Sequence, residues 1–206
     1  MTAPQDPGAR VWYLGLGSNV GDREEWLEQA VEAAGLDVTV TWLRGSREGY
    51  LREALRLLDE TTGVWVQAVS SIYETDPWGD TNQGPFLNLA ARIGCTLEPL
   101  QLLAEAKRIE QEVGRQPRGR WGPREIDIDL LLSGDLTIRT PELTVPHPHL
   151  VERQFVLVPL AELGPNLQLP DGSTVSSHVS NDGSVRLWRE QGGERGNSDA
   201  GRHVRV

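Results

Sequence analysis

Between Arg115 and Leu132 the chain reads RQPRGRWGPREIDIDLLL. Arg115, Arg118, Arg120 and Arg124 occur there with no acid among them, in a chain whose formal net charge is -10. Two carboxylates follow, Asp127 and Asp129, alternating with Ile126, Ile128 and Leu130. A β-strand sends successive side chains to opposite faces, so the aspartates share one face and the aliphatic residues the other. Two strand positions span roughly 6–7 Å, near enough for both carboxylates to share metal ions. Guanidinium groups match phosphate oxygens through a planar fork of donors. Carboxylates beside them suit Mg²⁺, a hard cation held by one or two carboxylates plus substrate phosphates. A D-x-D alone is more often an exposed strand face, and an arginine cluster alone a solvated loop. Both within so short a stretch, flanking Trp121-Gly122-Pro123, read as a metal-nucleotide site.

The rest of the chain bounds that reading. At 206 residues one domain is expected, large enough to bury its own core. A sequence pI near 4.9 argues against a general nucleic-acid binder, which needs a basic footprint. The single cysteine, Cys95, excludes an intramolecular disulfide and fits a reducing compartment. The N-terminal MTAPQDPGAR lacks the apolar centre of a signal peptide, and no apolar run is long enough to span a membrane. A cytoplasmic protein with no membrane or nucleic-acid partner is expected, and a monomer. Nineteen of its twenty basic residues are arginine, which we attribute to genome composition.

The elements that must position the site follow in order. Residues 1–10 read as a flexible lead-in. Val11–Gly17 is an apolar run read as a central strand, and Gly17-Ser18-Asn19 with Gly21-Asp22-Arg23 as turn chemistry, with Asp22 as a helix cap. No G-x-x-x-x-G-K-[ST] is present, which excludes a Walker loop. Gly21–Val31 is echoed at a constant offset by Gly45–Leu55, each copy with an apolar stripe at helical spacing and Val38–Trp42 between them. We read a helical insertion at about residues 25–48, whose removal should spare catalysis. Spacing does not say which copy belongs to the core. Val64–Tyr73 reads as one strand and Phe86–Ile93 as its antiparallel return, joined by a Pro-, Gly- and Asn-rich loop that holds Trp78. Thr96 is expected to cap a helix with the stripe Leu102, Leu103, Ala106, Ile109 and Val113, which Gly114 stops. His147 and His149 lie near the carboxylates, but structural zinc takes four ligands, and the other histidines lie at His178 and His203. Residues 176–206 read as a mostly mobile tail, in which Val185, Leu187 and Trp188 make one short contact.

Three motifs bind these pieces into one reading. R-W-G-P-R-x-I-D-I-D resembles the signature of 6-hydroxymethyl-7,8-dihydropterin pyrophosphokinases, enzymes of folate biosynthesis. Tyr73-x-Thr75-x-Pro77-x-Gly79, then Gln83 and Phe86-Leu87-Asn88, resembles the family's pterin-binding loop and strand. V-P-H-P-x-x-x-x-R-x-F, ending at Phe155, resembles its later ATP- and pterin-facing segment. The likeness runs over about residues 11–172 with the motifs in the family's order, interrupted by the insertion. Pro148 and Glu142 depart from residues that some members carry.

The resemblance implies an α+β fold with a ferredoxin-like core, a mainly antiparallel sheet packed with helices, over residues 11–175. It implies transfer of pyrophosphate from ATP to the hydroxymethyl group of the dihydropterin, with Asp127 and Asp129 holding two Mg²⁺ ions. Arg115 and Arg124 would neutralise phosphate charge. Glu110, Arg118, Trp121, Leu130, Thr144, His147 and Arg153 would contact ATP. Thr75, Pro77, Trp78, Phe86, Asn88, Trp121 and Phe155 would hold the pterin, with the two phenylalanines stacking on its ring. No side chain declares itself a general base. Two other classes share part of the pattern: a non-catalytic nucleotide-binding module, and a D-x-D nucleotide-sugar transferase, which has no use for the pterin-like loop.

Overall fold

In the computed structural model the described residues are 8–21, 45–77, 83–117, 122–169 and 171–188. Strand β1 (Arg10–Ser18) is followed by helix α1 (Arg47–Glu60), β2 (Val64–Val69), β3 (Tyr73–Thr75), β4 (Phe86–Cys95), α2 (Pro99–Val113) and β5 (Asp127–Leu132). The hairpin strands β6 (Ile138–Arg139) and β7 (Thr144–Val145) come next, then α3 (Gln154–Leu163) and β8 (Val185–Leu187). The main sheet runs β5-β1-β4-β3-β8, with β2 paired to β4 beside β3, and every pairing is antiparallel. Counting β2 and β3 as one interrupted strand, the core is β-α-β-β-α-β, the expected ferredoxin-like layout.

Strand alternation sorts the side chains onto two faces. Trp12, Leu14 and Leu16 of β1, Leu89, Ala91 and Ile93 of β4, and Ile128 and Leu130 of β5 form one core with Leu51 and Leu58 of α1 and Leu102, Ala106 and Ile109 of α2. On the opposite face Tyr13, Ala90 and Leu131 pack against Val156, Leu157 and Leu160 of α3. Helix α3 covers only part of that second face. What it leaves open is the floor of the cleft described below.

Several sequence expectations need amendment. The run Val64–Tyr73 is two strands, because the register slips between Val66 and Ala68 and the ladder then breaks at Ser70. There the Ser70 hydroxyl accepts from the Ala90 N–H, and Glu162 of α3 accepts from Ser71 and from the Tyr73 hydroxyl. Thr96 is not the cap of α2. Pro99 suits the first helical position, so the cap falls on Glu98, whose N–H donates to Gln101 Oε1 at 3.0 Å, while the Thr96 N–H bonds the Gly63 carbonyl. Most of residues 176–188 are exposed, and the short contact expected of Val185, Leu187 and Trp188 is formed as strand β8, paired to β3, with the Trp188 N–H on the Ile72 carbonyl. Residues 189–206 and 1–7 lie outside the described residues.

The insertion now has an address. Its first helical copy, Asp22 and the Val38–Trp42 run lie outside the described residues, but both junctions are described. Gly21 (φ 118°) and Gly45 (φ 96°) adopt left-handed backbone, and a Cβ on Gly21 would fall 2.1 Å from the Gly45 carbonyl oxygen. The chain thus returns at 45 to the point it left at 21. The second copy forms α1, whose N-cap Ser46 accepts from the Gly49 N–H at 3.0 Å and whose Leu51, Ala54 and Leu58 are fully buried. Arg47 and Glu48 belong to this helix, so the excursion ends before them. Because closure entropy changes by only about 0.6 kcal/mol per doubling of loop length, joining Gly21 to Gly45 should leave a cooperatively folding protein. Its urea midpoint should correspond to a stability within about 1 kcal/mol of the parent. An insoluble or non-cooperative deletion variant would show that 22–44 is part of the core.

Candidate active site

The floor of the cleft is sheet backbone. Gly17 of β1 lies between Asn88 of β4 and Asp127 of β5, and Gly15 lies between Ala90 and Asp129, all on the face away from α1 and α2. Residues directly opposite in an antiparallel pair share a face, so the two glycines leave a bare trough between the carboxylates and the amide. A Cβ on Gly17 would stand 2.8 Å from Asn88 Oδ1. These glycines are strand residues that make room, and the strand expected to end at Gly17 runs on through Ser18, where a turn was expected. The cleft above them measures about 330 Å³, within the range of small-molecule sites.

One wall is charged. Asp127 accepts from Arg115 at 2.7 Å and from Arg124, and Lys107 approaches to 4.0 Å. Burial works to raise the Asp127 pKa, but Arg124, Lys107 and Arg115 together hold it below the usual carboxylate range. Asp129 has the opposite balance. Burial, and then the neighbouring Asp127 charge, push it up to about 6, and Arg153, at 3.9 Å, only partly offsets them. His147 is held down at about 4, by burial first and then by Arg153 and His149, so the ring is neutral near pH 7. Its Nδ1 accepts from the His149 N–H at 3.2 Å, which leaves the ring proton on Nε2.

The other wall carries Thr75, Asp76, Phe86 and Asn88, and Phe155 closes one side from the start of α3. The Asn88 amide donates to Thr75 Oγ1 at 2.8 Å, which fixes which way the amide faces. Arg153 lies over the Phe155 ring at 5.6 Å.

Two residues that the sequence reading did not single out as site residues hold the loops together. Asn19 accepts from the Arg124 N–H at 2.7 Å, donates to Gln83 at 2.9 Å, and its own N–H bonds the Arg124 carbonyl. Glu125, buried, accepts from the Gln116 N–H at 3.1 Å and so closes the base of the arginine loop. Asn19 follows a glycine-serine pair beyond a strand end, which is the one local signal that could have drawn attention to it.

Of the residues anticipated from the sequence, Thr75, Phe86, Asn88, Arg124, Asp127, Asp129, His147, Arg153 and Phe155 line this one cleft. Arg115 stands behind Asp127, joined to it and to Glu110. Glu110 is 2% exposed and away from the cleft: it accepts from Lys107, Arg115 and the Ile128 N–H on the open edge of β5. The structure does not bring Leu130 to the cleft, because it shares the core face with Ile128, nor Thr144, which pairs with Arg139 in the β6–β7 hairpin. Pro77 sits beside the cleft residue Asp76. Trp78, Arg118 and Trp121 lie outside the described residues. Among the described residues no group of three or more His, Cys, Asp or Glu side chains is arranged to hold a metal ion. The donor set is thus two carboxylates, which fits Mg²⁺ completed by phosphate and water oxygens rather than a protein-only cage.

Topology and site together define an α+β protein whose sheet carries a carboxylate- and arginine-lined cleft for a phosphorylated ligand beside an aromatic pocket. The chain belongs to the 7,8-dihydro-6-hydroxymethylpterin-pyrophosphokinase (HPPK) family, whose model matches residues 43–165. That match begins two residues before Gly45, at the end of the excursion. The chain is 41% identical to the 2-amino-4-hydroxy-6-hydroxymethyldihydropteridine pyrophosphokinase of Bacillus subtilis, over 89% of this chain and 93% of that one. It is 42% identical to the protein of the same name from Aquifex aeolicus, over 77% and 82% respectively. A solved HPPK-DHPS structure in complex with substrates aligns with a TM-score of 0.55 at 15% identity, over 82% of this chain and 42% of that chain, a likeness of fold.

The two carboxylates should respond oppositely to neutralisation in ligand-free protein with chelator present. A rise from 3.8 to about 6 makes ionised Asp129 a destabilising group above pH 6, with its stability contribution intact below about pH 4. The full shift corresponds to about 3 kcal/mol. The side chain remains 33% exposed, so solvent screening leaves roughly 1–2 kcal/mol. Asp129→Asn should therefore raise stability by that amount at pH 7.5, with the gain fading towards pH 4. Asp127→Asn removes the carboxylate that Arg124 holds and leaves Arg115 with Glu110 alone, and should lower stability by about 1–3 kcal/mol at the same pH. Urea unfolding of both variants across that pH range checks the signs.

Proposed function

We infer that this protein transfers the pyrophosphoryl group of ATP to the hydroxymethyl group of 6-hydroxymethyl-7,8-dihydropterin, giving AMP and the pterin diphosphate, a step of folate biosynthesis. Membership of the HPPK family with full-length relatives above 40% identity carries this reading. The cleft supports it by setting Asp127 and Asp129 across a bare sheet floor from Asn88 and Phe86.

In this reading the pterin lies between Phe86 and Phe155, with Asn88 and Thr75 against its polar edge. The triphosphate lies along Arg124, Arg153 and His147. Asp127 and Asp129 would hold two Mg²⁺ ions, which supply charge neutralisation and acidify the substrate hydroxyl. The hydroxyl oxygen bonds to the β-phosphorus as the bond from that phosphorus to the α,β-bridging oxygen breaks, and that oxygen leaves with AMP. Arg124 faces the charge that builds on the moving phosphates. Arg115 keeps Asp127 ionised and oriented. His147, neutral and protonated on Nε2, offers a hydrogen bond without adding charge. We assign the protein to the cytoplasm, as a monomer. No described helix is long and apolar enough to cross a membrane.

Incubation with ATP, Mg²⁺ and 6-hydroxymethyl-7,8-dihydropterin, resolved by chromatography, should yield AMP one-for-one with a pterin diphosphate, and nothing when the pterin is omitted. ADP as the main product would refute β-phosphorus attack, and ATP binding without turnover would point to a binding module. Asp127→Asn and Asp129→Asn should each reduce turnover by about 10²-fold or more in saturating Mg²⁺. Phe155→Ala should weaken pterin binding more than binding of an ATP analogue, because a ring pair contributes about 0.5–1.5 kcal/mol beyond burial.

A further inference from the structure

We propose that strand β8 and Trp188, gripped by Arg47 of α1, form a brace that positions the pterin-facing wall of the cleft. This rests on the functional reading above and adds residues that touch no substrate.

Arg47 carries a buried charge, its side chain 6% exposed. Such a charge persists only where it is paired. Its guanidinium lies 5.2 Å from the Trp188 ring centroid, and it donates to Glu74 of β3 at 3.3 Å and to the Pro85 carbonyl at 3.0 Å. Glu74 and Pro85 each stand one residue from a cleft residue, Thr75 and Phe86. One side chain therefore joins β3 to the residue that leads into β4.

Strand β8 holds the same place from the outer edge. Tyr73, Glu74 and Thr75 pair with Leu187, Arg186 and Val185, and the Trp188 N–H donates to the Ile72 carbonyl at 2.9 Å. Arg186 reaches Asp76, a cleft residue, at 3.0 Å. That exposed pair alone contributes little. The weight falls on the backbone ladder and the Arg47–Trp188 contact. Without β8, β3 would be a three-residue edge strand, the kind of element that frays first. Fraying there releases Thr75, and with it the hydrogen bond that orients the Asn88 amide. The opposite wall, Arg124, Asp127, Asp129 and His147, lies across the β1 floor and has no contact with the brace among those described here, so loss of the brace should separate the two ligands.

The test is calorimetric titration of two ligands: α,β-methylene-ATP with Mg²⁺, and 6-hydroxymethyl-7,8-dihydropterin in the presence of that analogue. Truncation after Asn181 and Trp188→Ala should each raise the pterin Kd about tenfold, with analogue affinity changed by less than about twofold. Truncation after Arg189, which keeps β8, should change neither. Trp188→Phe, which keeps a ring under the guanidinium, should restore most of the loss, and Arg47→Lys, which keeps the charge but not the fork, should not. Should the truncated protein fail to fold, the Trp188 pair and Arg47→Lys, monitored by thermal unfolding, carry the test. Unchanged pterin affinity in Trp188→Ala and Arg47→Lys, or equal loss for both ligands, would overturn the brace. Parent protein that binds the analogue but no pterin would instead overturn the functional reading.

Discussion

Asp127 is where three cations converge, and the geometry of the charged wall follows from how they are held there. Arg115 and Arg124 donate to its two carboxylate oxygens, and Lys107 stands at 4.0 Å. Two of these cations are themselves fixed by Glu110, which also takes the Ile128 N–H on the free edge of β5. A buried carboxylate unpaired at that edge would be strongly unfavourable. Paired as it is, it ties α2 to β5 and sets the height at which Asp127 and Asp129 enter the cleft. The excess positive charge around Asp127 and its shortage around Asp129 then divide the two neighbouring carboxylates, one held ionised and the other left close to titration. A polyanion bringing its own cations would relieve that imbalance, so the free site is poised by electrostatics to take one.

The opposite constraint is an absence of side chains. Gly15 and Gly17 sit in the second half of β1, within a strand paired on both sides, where glycine ordinarily weakens a sheet. Here they keep the floor low between the carboxylates on β5 and the amide on β4. Gly17 cannot gain even a methyl group without meeting Asn88 Oδ1. Asn88 is in turn oriented by Thr75, and Thr75 by its neighbours in β3, so the precision of the aromatic side depends on an edge strand.

Much of this could be read from the chain. The alternation at Ile126–Leu130 placed both aspartates on one face, and they are there. The helix stripe of α2 and its glycine stop could be read from 3.6-residue spacing and from Gly114 (φ 117°). What could not be read depends on partners distant in sequence. Glu110 looks like any acid on a solvated helical face until Ile128 is seen beside it. Asn19 reaches residues 83 and 124, and no local pattern announces either. The strand holding Gly15 and Gly17 could be read from its apolar run, but not that it continues through Ser18 or that its glycines keep the cleft floor bare, which depends on partners in β4 and β5. The break at Ser70 arises from a serine hydroxyl substituting for a backbone partner, which β-propensity does not register. Leu130, the residue after the D-x-D, follows the strand's alternation onto the core face with Ile128 rather than into the cleft.

The excursion at 22–44 and the strand β8 meet the core at neighbouring points. The excursion ends at Gly45, and the next residues are the cap Ser46 and the buried Arg47. A long connection is tolerated thermodynamically when its two ends are fixed independently of its contents. Here the ends are fixed twice over, by the apposed backbones of Gly21 and Gly45 and by the cap and buried guanidinium that begin α1. Arg47 then spends its remaining donors on β3, on Pro85 and on the face of Trp188. The first turn of α1 is thus both the fixed far end of the excursion and the clamp on Trp188 beside the C-terminal strand. Arg47 thus joins the start of α1 to the wall formed by Thr75, Phe86 and Asn88 through Glu74 and Pro85, while the β8 ladder holds the same wall from the outer edge.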